Sequence, residues 1–243
     1  MGAQGGYISH MANYQMLELS PEGQLATVAI GDLPTEAGAV IHDAHIAYRR
    51  WGAPSGDPHG KNNILLVEHA LTGDSDATDW WCEAVGPGKA LDTNEWCVIC
   101  TNALGSCYGS TGPASDHPDG GVWGSRFPAI SMRDMVNAEH AFLERLGISR
   151  VHAVIGGSMG GARTLEWTLL HPEQVDYALV LAVSARASAW QIGLQTALHQ
   201  LMSEPKDCGA GLRAMLDRSV PGLPAGEVGI LLGVLVQGGG VGQ

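Results

Sequence analysis

Gly156-x-Ser158-x-Gly160 sits between the apolar run Val151–Ile155 and a helix-like stretch from about Gly160 to His171. A serine at a strand-to-helix turn can act as a nucleophile toward an acyl group. The turn must be tight, so its flanking residues must be small, and Gly156 and Gly160 let neighbouring backbone approach. The serine is thereby held in a strained conformation with its hydroxyl exposed above the sheet. The N–H of Met159, at the start of the helix, can donate to an oxyanion, aided by the positive end of the helix dipole. A glycine-rich turn can also bind a phosphate, or nothing. The strand before, the helix after and the surrounding glycines favour the nucleophile, Ser158.

An oxyanion hole needs a second donor from the loop after an earlier strand. The run Asn63–Glu68 leads into His69-Ala70-Leu71-Thr72-Gly73. Leu71 N–H is the natural second donor. His69 invites a reading as general base, but around such an elbow the partners follow in the order Ser, Asp, His. A structural role for His69 is therefore favoured. Cys97-x-x-Cys100 is flanked by Trp96 and contains Val98-Ile99, which reads as a buried strand with inert thiols. No group of His, Cys, Asp and Glu has metal-ligand spacing, so no metal is expected.

The elements that must position these residues alternate. Leu25–Ile30, Val40–Tyr48, Asn63–Glu68, Trp96–Thr101, Val151–Ile155 and Tyr177–Val183 read as strands. Ser131–Leu146 reads as a helix, opened by Ser131 and Asp134 as a capping box. Met135, Ala138, Phe142 and Leu146 mark its apolar face, and Gly147 its left-handed end. Strand, helix and strand in succession imply an α/β fold with parallel strands. Asn102–Pro128 is a long glycine-rich loop, and its Trp123 and Phe127 argue that it packs in order on the body.

Composition narrows the function. The 243 residues carry 13 Lys+Arg against 25 Asp+Glu, a net charge of −12. Nucleic-acid binding needs clustered cations, as does an anionic membrane surface, so neither partner is expected. No apolar run approaches a bilayer's thickness, and no secretory leader is visible. Five cysteines, an odd number, suit reduced thiols in the cytoplasm.

Several separated motifs together resemble one family. They are His69-Ala70-Leu71-Thr72-Gly73, Asn102–Gly105, Gly109-Ser110-Thr111-Gly112-Pro113, Phe127-Pro128, Ser131-x-Arg133-Asp134-Met135-Val136 and Gly156-Gly157-Ser158-Met159-Gly160-Gly161. Leu165-Glu166-Trp167 and Ser184–Gly193 extend the match. From about Leu25 to Ala197 the chain resembles the homoserine O-acetyltransferases, acyltransferases of the α/β-hydrolase fold, and especially their actinobacterial members. The resemblance implies that Ser158 attacks acetyl-CoA, a co-substrate rather than a cofactor. The oxyanion would rest on Leu71 and Met159, and L-homoserine would accept the acetyl group in methionine synthesis. It implies a homodimer for full-length relatives. An esterase of the same fold and a catalytically inactive fragment are the alternatives.

The resemblance stops near His199. The family's triad Asp and His lie in motifs with no counterpart here. After Ser158 the histidines are His171 and His199, and the acids include Asp176, Asp207 and Asp217. None sits in a matching motif, and the His42-Asp43 pair belongs to an early strand, so no triad Asp or His is assigned. Substrate-binding residues stay unassigned too, Arg213 and Arg218 among them. Arg163, expected at the core edge, and Arg186, after a strand, are read as structural ion-pair formers. Residues 1–24 read as an extension, with Met11 or Met16 as later possible starts, and 25–200 as an α/β-hydrolase core. Residues 201–243 read as an atypical tail, with 10 glycines in 43 residues and no Phe, Tyr or Trp. The shift suggests a truncated or frame-shifted product, with a fold incomplete at its C-terminus and an uncovered sheet edge.

Overall fold

A computed structural model describes residues 19–57, 59–193 and 196–197. Their core is one six-stranded sheet in the order β1-β2-β4-β3-β5-β6. The strands are β1 (Ala26–Pro34), β2 (Val40–Trp51), β3 (Ile64–Glu68), β4 (Cys97–Thr101), β5 (Val151–Gly157) and β6 (Val175–Leu181). β1, β2 and β4 run antiparallel to their neighbours in that order, while β4, β3, β5 and β6 are parallel. β3 and β4 are buried along their whole length, as short continuous apolar runs demand.

The helices are α1 (Ala77–Trp80), α2 (Met132–Arg145) and α3 (Met159–Leu170). Ser131 caps α2 through a complete capping box with Asp134. Its Ala138 and Phe142, with Leu146 just beyond its end, are buried, and Gly147 turns the chain away at φ +72. Phe142 of α2 and Trp167 of α3 share a core with Leu66, Ile99 and Val154. The opposite face, with Leu65, Val67, Val98 and Ile155, is covered by Ala77 and by Trp80, Trp81, Leu91 and Trp96. Layers on both faces of a mostly parallel sheet give the α/β class.

Element bounds differ from expectation at two places. β1 runs four residues past Ile30, because register shifts between Ala29 and Leu33 keep it paired to β2. β6 begins and ends two residues early, and Ala182, just after it, takes φ +49. The long loop is packed in order. Trp123 is buried and Phe127 partly so. Asn102 accepts from Ser75 N–H at 2.6 Å and donates to the Tyr108 carbonyl at 2.6 Å.

β6 closes the sheet among the described residues. Tyr177, Leu179 and Leu181 pair in register with Ala153, Ile155 and Gly157. They therefore face the same side, and all three are exposed. An uncovered sheet edge, expected from the sequence, is present in the described part. The tail from 201 onward, with Arg213 and Arg218, lies outside the described residues. No helix among the described residues is long and apolar enough to cross a membrane.

Candidate active site

Ser158 stands between the last residue of β5 and the first of α3, with φ +57 and ψ −117. Such a backbone is strained for any residue with a side chain, by about 1–3 kcal/mol. The surroundings hold it there. Ser158 N–H donates to the Leu181 carbonyl at 3.0 Å, and Ala162 N–H donates to the Ser158 carbonyl at 3.0 Å.

The two flanking glycines are needed for space. A Cβ on Gly156 would stand 2.3 Å from the Gly160 backbone. A Cβ on Gly160 would stand 2.0 Å from the carbonyl oxygen of Glu68. The start of α3 is thus pressed directly onto the end of β3. That contact brings the loop after β3 beside the elbow.

In that loop Gly73 N–H closes a turn on the Ala70 carbonyl at 2.9 Å. Leu71 occupies the turn, and its N–H has no partner among the described residues. Leu71 and Met159 line one cavity of about 380 Å³, together with His69, Leu104, Cys107 and Met135. The cavity is mostly apolar in its lining, as expected for a small-molecule site beside a nucleophile.

His69 is fixed in a structural role. Its Nε2 accepts from Ala103 N–H at 3.1 Å, which places the ring proton on Nδ1, 2.6 Å from the Ala70 carbonyl. Burial, then the nearby Arg163 cation, push its pKa down to about 3. A ring with both nitrogens committed and no tendency to protonate is a poor general base.

Arg163 is not at the core edge; it is completely buried. Its guanidinium contacts Glu139 at 2.5 Å and Glu68 at 2.9 Å, and donates to the His69 carbonyl at 3.0 Å. The reason is geometric: Arg163 lies one turn into α3, on the side pressed against β3 and α2. Glu68 and Glu139 escaped the sequence reading. Each carried a signal, since a carboxylate ending a fully apolar strand, or lying on the apolar face of a helix, is almost never buried unpaired. Arg186 is exposed.

Other candidates lie apart from the elbow. His171 ends α3, stacked on His140 at 4.0 Å. His42 pairs with Asp32 at 2.9 Å on β1 and β2, away from β5. Asp176 pairs with Arg150 at the start of β6, the opposite end of the strand from Ser158. His199, Asp207 and Asp217 lie outside the described residues. Cys97 and Cys100 are buried on β4, as expected, and burial lifts the Cys97 thiol to about 12.

The family model for the alpha/beta hydrolase fold matches residues 63–205. The chain is 65% identical over 192 residues to a homoserine O-acetyltransferase of Corynebacterium efficiens, covering 79% of this chain and 50% of that one. Among solved structures it resembles an acetylester hydrolase from Corynebacterium glutamicum, with TM-score 0.69 and 25% identity over 89% of this chain and 68% of that one. It also resembles a homoserine O-acetyltransferase from Bacillus anthracis, with TM-score 0.64 and 25% identity over 77% of this chain and 54% of that one. The chain spans about half the length of the curated relatives it matches.

Proposed function

Because this chain belongs to the alpha/beta hydrolase fold family, we propose that it is the elbow-bearing part of a homoserine O-acetyltransferase. High identity to proteins of that name supports the acceptor and the transferred group. The observation that carries the chemistry is Ser158 at φ +57 between β5 and α3, beside the cavity that Leu71 and Met159 line.

In this reading Ser158 Oγ attacks the thioester carbonyl of acetyl-CoA. The carbonyl oxygen becomes an oxyanion held by the N–H groups of Leu71 and Met159. Collapse expels CoA as its thiol and leaves acetyl-Ser158. The hydroxyl of L-homoserine then attacks the acetyl carbonyl, giving O-acetylhomoserine and the free serine. Methionine synthesis in the cytoplasm is the setting this implies. No metal or cofactor takes part in the scheme. No base is assigned to Ser158, so slow transfer by the 243-residue chain is part of the proposal.

A second reading, hydrolysis of acetyl esters, is favoured by the likeness to the acetylester hydrolase. Incubation with acetyl-CoA, followed by mass spectrometry, separates the readings. Acetyl on the Ser158 peptide, absent in Ser158→Ala, with CoA release dependent on homoserine, is the expected result. CoA release indifferent to homoserine would favour the hydrolase. No acetyl-Ser158 at all would overturn both.

A further inference from the structure

Two carboxyl groups and one guanidinium meet where β3, α2 and α3 pack, and the reaction above gives them no task. Glu68, Glu139 and Arg163 have no exposed surface. Glu139 is well supplied with donors: Arg163 at 2.5 Å, Trp167 Nε1 at 3.0 Å and Thr101 Oγ1 at 3.3 Å. Neither oxygen of Glu68 accepts a hydrogen bond, although Arg163 Nη1 lies 2.9 Å from one of them.

The other titratable groups around the cluster add no positive charge. His69, on the loop after β3, is neutral because its Nε2 accepts from Ala103 N–H. Burial holds the Cys100 thiol on β4 protonated, and Asp74 faces Cys100. Two ionised carboxylates against one guanidinium would leave a net negative charge in the dry interior, which is costly. One proton removes it. Glu139 already has three donors and Glu68 has none, so the proton belongs on Glu68.

We propose that Glu68 is a neutral acid at physiological pH and donates to Glu139, closing a one-proton unit with Arg163 that positions Leu71 against Met159. Glu68 lies three residues before Leu71, and Arg163 one helical turn after Met159. The unit therefore joins the loop that carries one oxyanion donor to the helix that carries the other. Glu68 is a positioning residue, acting through Arg163 and Glu139. Burial raises its carboxyl well above the ordinary range; Arg163 opposes this and Glu139 adds to it. The positioning role rests on the proposed function, whereas the proton does not.

Two measurements on the full chain test this. The first compares urea unfolding of the wild type with Glu68→Gln, which keeps the neutral, donating shape. A folded pKa above the unfolded value means that the native state holds the extra proton. Stability from Glu68 is then complete below the unfolded value of 4.5 and is lost as pH rises toward the folded value. The wild-type unfolding constant should rise, relative to Glu68→Gln, by about tenfold per pH unit across that window. Parallel pH dependences would overturn the shared proton. The second follows the backbone amide resonances of Leu71 and Met159. In the wild type both should titrate with one common midpoint above 4.5, and in Glu68→Gln both should stay flat. Wild-type amides that do not move, or that move equally in Glu68→Gln, would overturn the positioning role. Absence of acetyl-Ser158 would count against the proposed function alone, because neither titration depends on turnover.

Discussion

Gly160 on α3 touches the carbonyl of Glu68 on β3 so closely that a Cβ would stand 2.0 Å from that oxygen. This contact joins the elbow to the loop bearing Leu71. Gly160→Ala should therefore force α3 away from β3 and cost about 1–3 kcal/mol. Gly193→Ala, where a Cβ meets nothing within 4 Å, is the matched control and should leave the melting temperature unchanged or higher. Equal melting temperatures for the two variants would contradict the close packing.

Ser158→Gly separates strain from chemistry. Glycine adopts φ +57 without penalty. The variant should be more stable than the wild type by about 1 kcal/mol and should form no acyl-enzyme. Chemical denaturation and intact-mass measurement check the two halves. A destabilised Ser158→Gly would show that the side chain holds the turn rather than suffering in it.

Removing Arg163 should be among the most damaging single changes. Arg163→Met strands Glu139 without its cation and should cost about 3–5 kcal/mol. Arg163→Met combined with Glu139→Gln should recover part of that loss, since it removes the stranded charge. A double variant no more stable than the single would mean that the guanidinium acts through the His69 carbonyl instead.

His69 predicts the opposite pH trend to Glu68. Its folded pKa of about 3 lies below the model value of 6.5, so the unfolded chain binds the extra proton between those values. Stability from a neutral His69 is complete above 6.5 and is lost as pH falls toward 3. Wild-type urea midpoints should drop between pH 7 and pH 5 more than those of His69→Gln, by up to about 1.4 kcal/mol per pH unit. Parallel curves would mean that His69 is charged in the fold.

Loss of the capping box should be local and small. Ser131→Ala removes the bond from Asp134 N–H, at 3.1 Å, and should cost about 1 kcal/mol. Amide exchange should rise in the first turn of α2 and nowhere near Ser158. Faster exchange at Leu71 or Met159 would show that α2 controls the site more directly than its contact through Glu139 suggests.

Local rules determined much of this protein. The buried runs Ile64–Glu68 and Cys97–Thr101, the capped helix beginning at Ser131 and the elbow at Ser158 all follow from residue type and spacing over a few positions. Such features express steric limits and backbone hydrogen bonding, which act over short stretches of chain. The tertiary structure alone decided what long-range contact decides. It took Arg163 from the expected core edge to complete burial, because α3 is pressed onto β3 where Gly160 meets Glu68. It committed both nitrogens of His69, one of them to the Ala103 N–H that β4 delivers from 34 positions away. It also brought Glu68 and Glu139 onto one guanidinium from two different elements. Charge pairing in a dry interior depends on which elements meet, and no periodicity in the chain encodes that meeting.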